Sequence, residues 1–330
     1  MIEITKKNIR VWSILGLRRI IGPAVKDLVA QDGKILFATA DTGRYYAYED
    51  LLKTYPENVI DVGIAEQNLI GVSAGLQNEG FQVFAITYAT FLTARALDQI
   101  RICMGYMGLG VKLIGEAGGM CDGNFSATHM ALEDISNTRN IPGMVVITPA
   151  DGMELVKTLT ALSHDPRPAY VRITGRFPIP VIYKEDYDFR IGKAVTLREG
   201  RDGVAILSSG TLLGEVLKAA ELLAEQGLDC SVINLHTVKP LDEEMLRGIA
   251  GYRLVVTAEE HLAYGGTGSA VAEFYAGEPV RPRMLMLSVG VRYPDAAEYG
   301  DLLKSCGLTA PQMAESILDR LRKMEREKNA

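Results

Sequence analysis

The segment KILFATA, residues 34–40, is a short apolar run that follows an amphipathic stretch at residues 11–30. This combination is typical of a buried strand preceded by a helix. The same alternation of β-branched runs and amphipathic stretches continues through the first half of the chain, which predicts an α/β fold with a mostly parallel sheet. We predict strands at residues 34–40, 82–86, 111–114 and 144–148, and helices at residues 11–30, 66–79, 91–104, 130–137 and 152–162.

A second α/β unit follows a segment that is typical of a linker. Residues 176–187, RFPIPVIYKEDY, contain two prolines and show weak periodicity. The alternation then resumes, with strands predicted at residues 203–208, 229–234 and 253–257 and helices at residues 213–225, 242–249, 268–274 and 311–327. The sequence therefore predicts two α/β domains with parallel or mixed sheets, residues 1–180 and 192–330, joined by a linker at residues 181–191.

Composition excludes several classes of protein. The 330 residues are 48% hydrophobic and 23% charged, as in ordinary globular proteins. The longest uncharged run, residues 80–94, is shorter than the ~20 residues that a membrane-spanning helix needs. A formal net charge of −6 without a basic tract argues against a nucleic-acid partner. The four cysteines include no C-x-x-C pair, which predicts free thiols. The apolar N-terminal patch has no cleavage site typical of a signal peptide, so we expect a cytoplasmic protein.

Three residues in the first domain could line a ligand site. Glu66 opens a predicted helix in DVGIAEQNL, residues 61–69, where the helix dipole favours a carboxylate; on spacing alone it is a helix-start acid. Tyr88 and Phe91 lie one helical turn apart and would form an aromatic wall for a flat ligand, or pack in the core.

The histidines and the glycine loop leave further alternatives open. His129 follows a loop in GNFSATHMALED and is either a general acid or base, or a buried structural histidine. His261 precedes YGGTGSA, residues 264–270, which lacks a Walker lysine and the G-x-G-x-x-G spacing, so a tight turn is predicted rather than a phosphate site. His164 and His236 are predicted to be structural. No His, Cys and Glu set has zinc-like spacing, so we expect no metal site in this chain.

Several segments occur in an order that resembles a known family. They are DVGIAEQNL (61–69), YATFLTARALDQIR (88–101), ATHMALEDIS (127–136), IPGMVVITPAD (141–151), GKAVTLREG (192–200), VKPLDEE (238–244) and GGTGSAVAEF (265–274). In this order they resemble the C-terminal half of transketolase and of 1-deoxy-D-xylulose-5-phosphate synthase. The resemblance is strongest to the separate C-terminal subunit of split transketolases, and it covers nearly the whole chain.

This resemblance implies a thiamine diphosphate pyrimidine-binding domain followed by a transketolase C-terminal domain. The family's Gly-Asp-Gly…Asn segment, which holds Mg²⁺ and the diphosphate, is not found in the sequence. The resemblance therefore implies a partner, an N-terminal transketolase subunit that carries the diphosphate-binding domain and binds the Mg²⁺. It also implies a heterotetramer of two copies of each subunit.

The resemblance assigns roles to individual residues. Glu66 matches the catalytic glutamate that hydrogen-bonds the aminopyrimidine ring of thiamine diphosphate, and Tyr88 and Phe91 match the wall on which that ring stacks. His129 matches the catalytic histidine that contacts sugar hydroxyls and the carbonyl. The predicted substrate-phosphate contacts are Arg18, Thr39 and Arg172, since arginine forks suit phosphate oxygens.

Three positions depart from the family pattern. Ala117 stands where a second histidine is usual, and Phe125 stands where an aspartate is usual. An arginine follows the position of Phe91 by three residues in the synthase, whereas Arg95 follows it by four. One alternative is that the loop is rearranged, so that Asp122 replaces the missing acid.

The expected activity is that of a transketolase-like enzyme. Such an enzyme transfers a ketol unit from a ketose donor to an aldehyde or ketone acceptor, and it is active only with its partner subunit. The expected substrates are small sugars or sugar phosphates, with a specificity that differs from that of standard transketolases. Two alternatives remain open. One is a decarboxylating enzyme, similar to 1-deoxyxylulose-phosphate synthase or to the beta chain of a 2-oxoacid dehydrogenase. The other is a non-catalytic structural subunit.

Overall fold

Two β-sheets, each covered by helices, organise the chain. The computed structural model describes residues 4–174 and 178–329. In chain order its strands are β1 (Ile35–Thr39), β2 (Val59–Asp61), β3 (Gln82–Tyr88), β4 (Lys112–Glu116), β5 (Val145–Ile147), β6 (Ala169–Arg172), β7 (Val195–Arg198), β8 (Val204–Ser208), β9 (Ser231–Asn234), β10 (Thr237–Lys239), β11 (Leu254–Ala258) and β12 (Arg283–Leu287).

The helices connect these strands and cover both faces of each sheet. They are α1 (Lys6–Leu15), α2 (Ile21–Gln31), α3 (Glu49–Thr54), α4 (Glu66–Asn78), α5 (Leu97–Ile100), α6 (Asp134–Arg139), α7 (Gly152–Ser163), α8 (Leu213–Glu225), α9 (Glu243–Gly248), α10 (Thr267–Ala276), α11 (Tyr299–Ser305) and α12 (Ala310–Asn329). Two π-helical segments, Phe91–Arg95 and Arg101–Tyr106, flank α5.

The first sheet has the order β10-β5-β6-β4-β3-β1-β2. Its strands are parallel except for β10, which pairs antiparallel with β5. Successive residues of β1 enter cores on opposite faces. Phe37 packs with residues of α1, α2 and α7, whereas Leu36 and Ala38 pack with residues of α4 and α5. Because both faces are covered, the central strands β1 and β3 are mostly apolar, as is typical of parallel sheets, and charged residues such as Lys112 and Glu116 stand at strand ends.

The second sheet has the order β12-β11-β8-β9-β7, and only β7 is antiparallel to its neighbour. One face packs on α8 and α12, and the other packs on α9 and α10. The predicted α/β fold with two mostly parallel, mixed sheets is therefore confirmed.

Several predicted elements differ in detail. The predicted helix at 11–30 is interrupted at Gly16, whose φ of +74° ends α1 before α2 begins. The predicted helix at 91–104 is two π-helical segments around α5. The helix predicted from residue 130 begins at Asp134. The strands β2, β6, β7, β10 and β12 were not predicted, because short runs, several with charged residues, carry little periodicity.

The strand β10 connects the two predicted domains. It follows residue 192 in the chain, yet Thr237 and Lys239 pair with Ile147 and Val146 of the first sheet. A segment of the predicted second domain thus completes the first sheet. The boundaries at residues 180 and 192 remain predictions, and residues 175–177, at the start of the proline-bearing segment, lie outside the described residues.

Candidate functional site

The candidate site lies at the carboxyl edge of the first sheet. β1 ends at Thr39, β3 at Tyr88 and β4 at Glu116. Neighbouring parallel strands run in the same direction, so their last residues lie side by side, and this edge is where open α/β sheets bind ligands. Tyr88 and Glu116 are register partners.

Glu66 is brought to this edge by a turn between β2 and α4. The Asp61 carboxylate accepts hydrogen bonds from the backbone N–H groups of Gly63 at 2.9 Å and Asp41 at 2.8 Å. Gly63 has a φ of +72°, which a glycine adopts without strain. Glu66 is then the first residue of α4 and is only 5% exposed, where the N-terminal end of the helix dipole stabilises a carboxylate.

Arg95 contacts both Glu66 and Phe91. Its Nη1 donates to Glu66 Oε2 at 2.9 Å, and its guanidinium carbon lies 4.4 Å from the centroid of the Phe91 ring. Residues 91–95 form a π-helical turn, in which Ala96 N donates to Phe91 O at 3.3 Å. Side chains four residues apart share one face of a helix, which allows Arg95 to lie over the ring.

An aromatic cluster adjoins this pair; it consists of Tyr88, Phe91, Phe125 and His129. The His129 ring centroid lies 5.4 Å from that of Tyr88, 5.2 Å from Phe91 and 4.7 Å from Phe125, and Tyr88 lies 5.5 Å from Phe91. The Thr128 hydroxyl lies 2.9 Å from His129 Nδ1. The structure therefore brings three of the predicted residues together, with Phe125 added to them.

The two departures in this loop have different environments. Ala117 is buried, with a left-handed φ of +56°, whereas Phe125 is 52% exposed beside His129. Asp122 is buried, and its Oδ2 lies 3.8 Å from Arg18 Nη2. In this structure the Asp122 carboxylate therefore faces Arg18, and the alternative in which it takes the place of the missing acid remains a prediction.

Arg18 lies in a buried charged group, here called the Arg18–acid cluster, formed by Arg18, Glu116 and Asp122. Arg18 Nε forms an ion pair with Glu116 Oε2. Its guanidinium carbon lies 4.9 Å from the Tyr45 ring centroid and 5.9 Å from that of Tyr88. Burial raises the pKa of Glu116 to about 7; Arg18 opposes this increase and Asp122 adds to it.

Glu116 was missed by the sequence analysis. Its signal was a single glutamate at the end of an apolar run, in register with Tyr88. Burial, together with Glu116, raises the pKa of Tyr88 to about 12, so its phenol is neutral at physiological pH.

Thr39 and Arg172 have internal partners. Thr39 is buried, with its hydroxyl 3.0 Å from that of Thr42. Arg172 is buried and donates to Asp134 Oδ2 at 2.8 Å and to the Glu260 carbonyl at 2.7 Å. Arg172 therefore joins the first sheet to the segment after β11. The predicted phosphate contacts of Thr39 and Arg172 remain predictions.

The glycine loop is a tight turn, as predicted. The Glu259 carboxylate accepts hydrogen bonds from Thr267 N at 2.7 Å and Gly268 N at 2.8 Å, so these N–H groups are already satisfied by protein. His261 is also structural in its contacts: Nδ1 donates to Leu262 O at 2.8 Å, and Nε2 accepts from Ser136 N at 3.3 Å.

Residues 4–174 and 178–329 contain no group of three or more His, Cys, Asp or Glu side chains able to hold a metal. No helix in that part of the chain is long and apolar enough to cross a membrane.

The fold and site define a two-domain α/β protein with a buried acid and an aromatic wall at one sheet edge. Family comparison makes this more specific. Residues 15–176 match the transketolase pyrimidine-binding domain, and residues 192–313 match the transketolase C-terminal domain. The chain belongs to the transketolase family, and the resemblance found in the sequence is confirmed.

Individual relatives are similar over most of this chain. The 6-deoxy-6-sulfo-D-fructose transketolase subunit of a Clostridium species is 39% identical, over 87% of this chain and 88% of its own length. An apulose-4-phosphate transketolase subunit of Phocaeicola vulgatus is 34% identical, over 83% of this chain and 88% of its own length. The 1-deoxy-D-xylulose-5-phosphate synthase of Pseudomonas aeruginosa is 36% identical over 92% of this chain, which spans 47% of that enzyme.

A solved structure agrees with these relatives. A split-gene transketolase, described as an inactive β4 tetramer, superposes with a TM-score of 0.83 at 34% identity, covering 93% of this chain and 98% of that one.

Arg172→Met tests whether this arginine is structural. The change leaves Asp134 buried without its cation, and breaking a buried ion pair costs about 3–5 kcal/mol. We expect the free energy of unfolding in urea to fall by about that amount. Arg322→Met is the matched control, because Arg322 pairs with Asp319 at the surface, where an ion pair contributes ~0–1 kcal/mol. Equal stability of the two variants would contradict the structural role.

Proposed function

We propose that this chain is the pyrimidine-binding subunit of a split, thiamine-diphosphate-dependent transketolase. It transfers a ketol unit from a ketose donor to an aldehyde or ketone acceptor. The observation that carries the proposal is the position of Glu66 at the start of α4, where Arg95 joins it to the Phe91 ring of the aromatic cluster. Family membership supplies the cofactor class.

The residues present fit an aminopyrimidine. Glu66 and Phe91 together already hold the Arg95 guanidinium, a planar group with N–H donors, by one hydrogen bond and one stacking contact. An aminopyrimidine ring has the same two features when its ring nitrogen carries the proton shared with Glu66, namely a flat face and an N–H donor directed at a carboxylate. The site therefore has the chemistry that this half of the cofactor requires.

Each residue has a definite task in this proposal. Bound thiamine diphosphate supplies the electron sink for breaking and forming carbon–carbon bonds. Glu66 holds a proton shared with a ring nitrogen, while Tyr88 and Phe91 orient the ring and exclude water. His129 donates to the carbonyl or hydroxyl oxygens of the sugar. Arg18, Thr39 and Arg172 remain the proposed substrate-side residues, and Arg18 borders the aromatic cluster through Tyr88.

The proposal includes a partner subunit. Neither matched segment is a diphosphate-binding domain, and two relatives are named as subunits. We place the diphosphate-binding domain and the Mg²⁺ on an N-terminal transketolase subunit, in a cytoplasmic heterotetramer with two copies of each chain. The similar β4 tetramer described as inactive supports the expectation that this chain needs that partner.

A decarboxylating synthase is the second candidate, because the synthase of P. aeruginosa is 36% identical to this chain. The donor distinguishes the two. A transketolase uses a ketose phosphate or ketose, whereas the synthase-like activity requires pyruvate and releases CO₂.

Glu66→Gln tests the central assignment in the complex purified with its partner. An amide does not share the proton as a carboxylate does, so turnover should fall by ~10²–10⁴-fold with unchanged thermal unfolding. Glu79→Gln is the matched control, because Glu79 follows the other end of α4. If Glu66→Gln kept activity within a few-fold of wild type, Glu66 would have only the structural role of an acid at the start of a helix.

Arg95→Met tests the fit of the pyrimidine half. If a ring takes the place of the guanidinium, binding must break the ion pair with Glu66 and the contact with Phe91. Together these contribute ~1–2 kcal/mol at a half-exposed side chain. We expect the full-length variant chain to bind thiamine ~5–30-fold more tightly, as measured by ligand-observed NMR.

Arg101→Met is the control for this experiment, since Arg101 pairs with exposed Asp98. Weaker thiamine binding by Arg95→Met would show that the guanidinium helps to hold the ring instead.

Phe125→Asp tests the sugar specificity. Phe125 and Ala117 offer no hydrogen bonds where the family has an acid and a histidine, and each unmatched polar group costs ~1–3 kcal/mol. We expect poor kcat/KM with xylulose 5-phosphate and ribose 5-phosphate, partly recovered by Phe125→Asp and not by the apolar control Phe125→Leu. Because Ala117 is buried, the exposed Phe125 is the better position to change. Ordinary transketolase efficiency in the wild type would contradict this specificity.

A further inference from the structure

The Arg18–acid cluster lies directly beside the aromatic cluster. Tyr88, a member of the aromatic cluster, contacts both groups. The centroid of its ring lies 5.9 Å from the Arg18 guanidinium carbon and 5.4 Å from the centroid of the His129 ring. The Arg18 side chain is 13% exposed, whereas Glu116 and Asp122 are buried. A ligand on the aromatic cluster would therefore meet Arg18, with the two carboxylates behind it.

The charges in this cluster do not favour an anion. One guanidinium faces two carboxylates: Glu116 Oε2 contacts Arg18 Nε, and Asp122 Oδ2 lies 3.8 Å from Arg18 Nη2. With both acids ionised, the cluster carries one net negative charge. The two carboxylates therefore cancel the attraction that Arg18 alone would exert on a phosphate dianion. Their effect is strong because they are close to Arg18 and buried away from water.

We infer that Glu116 and Asp122 are positioning residues that hold Arg18 and cancel its charge, so that this subsite takes an uncharged, hydroxylated end of a sugar and selects against a phosphate dianion. A hydroxyl accepts a hydrogen bond from Arg18 without requiring net positive charge. The inference rests on the proposed function, because it assumes that a sugar occupies the aromatic cluster.

The titration of Glu116 gives this inference a pH dependence. The groups that face Glu116 are Arg18, Asp122 and the hydroxyls of Tyr46 and Tyr88. Burial raises the pKa of Glu116 to about 7. Below that pH the carboxylate takes up a proton, one negative charge is lost, and Arg18 attracts anions more strongly. Anion binding at this subsite should therefore strengthen as the pH falls.

Sulfate is the probe, because it remains a dianion over the whole range. Calorimetry with the full-length chain compares about pH 8.5 with about pH 5.5, on either side of the Glu116 pKa. We expect wild-type affinity for sulfate to rise ~10-fold or more on acidification. Glu116→Gln should bind sulfate at the higher pH as tightly as the wild type does at the lower pH, with little further change.

Three further variants make the result specific. Asp98→Asn removes one exposed carboxylate away from the cluster and should leave sulfate affinity unchanged. Glu116→Asp keeps the carboxylate and should retain weak binding at the higher pH. The profile is repeated with His129→Gln, so that the imidazole beside Tyr88 does not contribute to it.

The inference is overturned if wild-type sulfate binding is independent of pH, if Glu116→Gln binds no more tightly than wild type, or if binding survives Arg18→Gln. A wild-type profile that is independent of pH overturns the inference even if Glu116→Gln does not fold, and a rise that persists in His129→Gln but is lost in Arg18→Gln supports it. Sulfate binding needs neither cofactor nor turnover. A negative result in the sulfate experiment therefore does not contradict the proposed function. Negative results with Glu66→Gln or in thiamine binding likewise do not change the outcome of the sulfate experiment.

Discussion

Parallel pairing of the strands in the first sheet is the constraint on which the rest of the site depends. Because β1, β2, β3, β4 and β6 run the same way, their carboxyl ends meet at one edge. Residues far apart in the chain are thereby brought within contact distance. Tyr88 and Glu116 become neighbours only through the register of β3 with β4.

The second domain holds the loop that carries Phe125 and His129. Met120 N donates to Glu260 Oε2 at 3.1 Å, and Leu262 N donates to Leu132 O at 2.8 Å. Gly119 passes so close that a Cβ there would lie 2.5 Å from Glu260 Oε2. The loop is therefore ordered by contacts made across the domain boundary, and the second domain contributes to the site by positioning.

Irregular backbone is concentrated around the site. The π-helical turn at Phe91–Arg95 and the left-handed residues Ala117 and Ser126 all lie near the aromatic cluster. Such conformations cost free energy, and surrounding structure maintains them where a side chain must be aimed in an unusual direction. Here the irregular turn aims Arg95 at Glu66, and the strained loop carries Phe125 to His129.

The sequence by itself determined the α/β class and most of the regular elements, and through the family resemblance it predicted a site with Glu66, Tyr88, Phe91 and His129. Those inferences depend on local periodicity and on motif order, which are written in consecutive residues. Tertiary structure alone decided the pairing of Arg18 with Glu116, the internal partners of Arg172 and the addition of β10 to the first sheet. These features depend on which distant residues meet and on how far burial removes them from water. The residue pattern of a single segment predicts neither the contacts between distant residues nor the extent of their burial, because both arise only when the strands pair and the two domains pack.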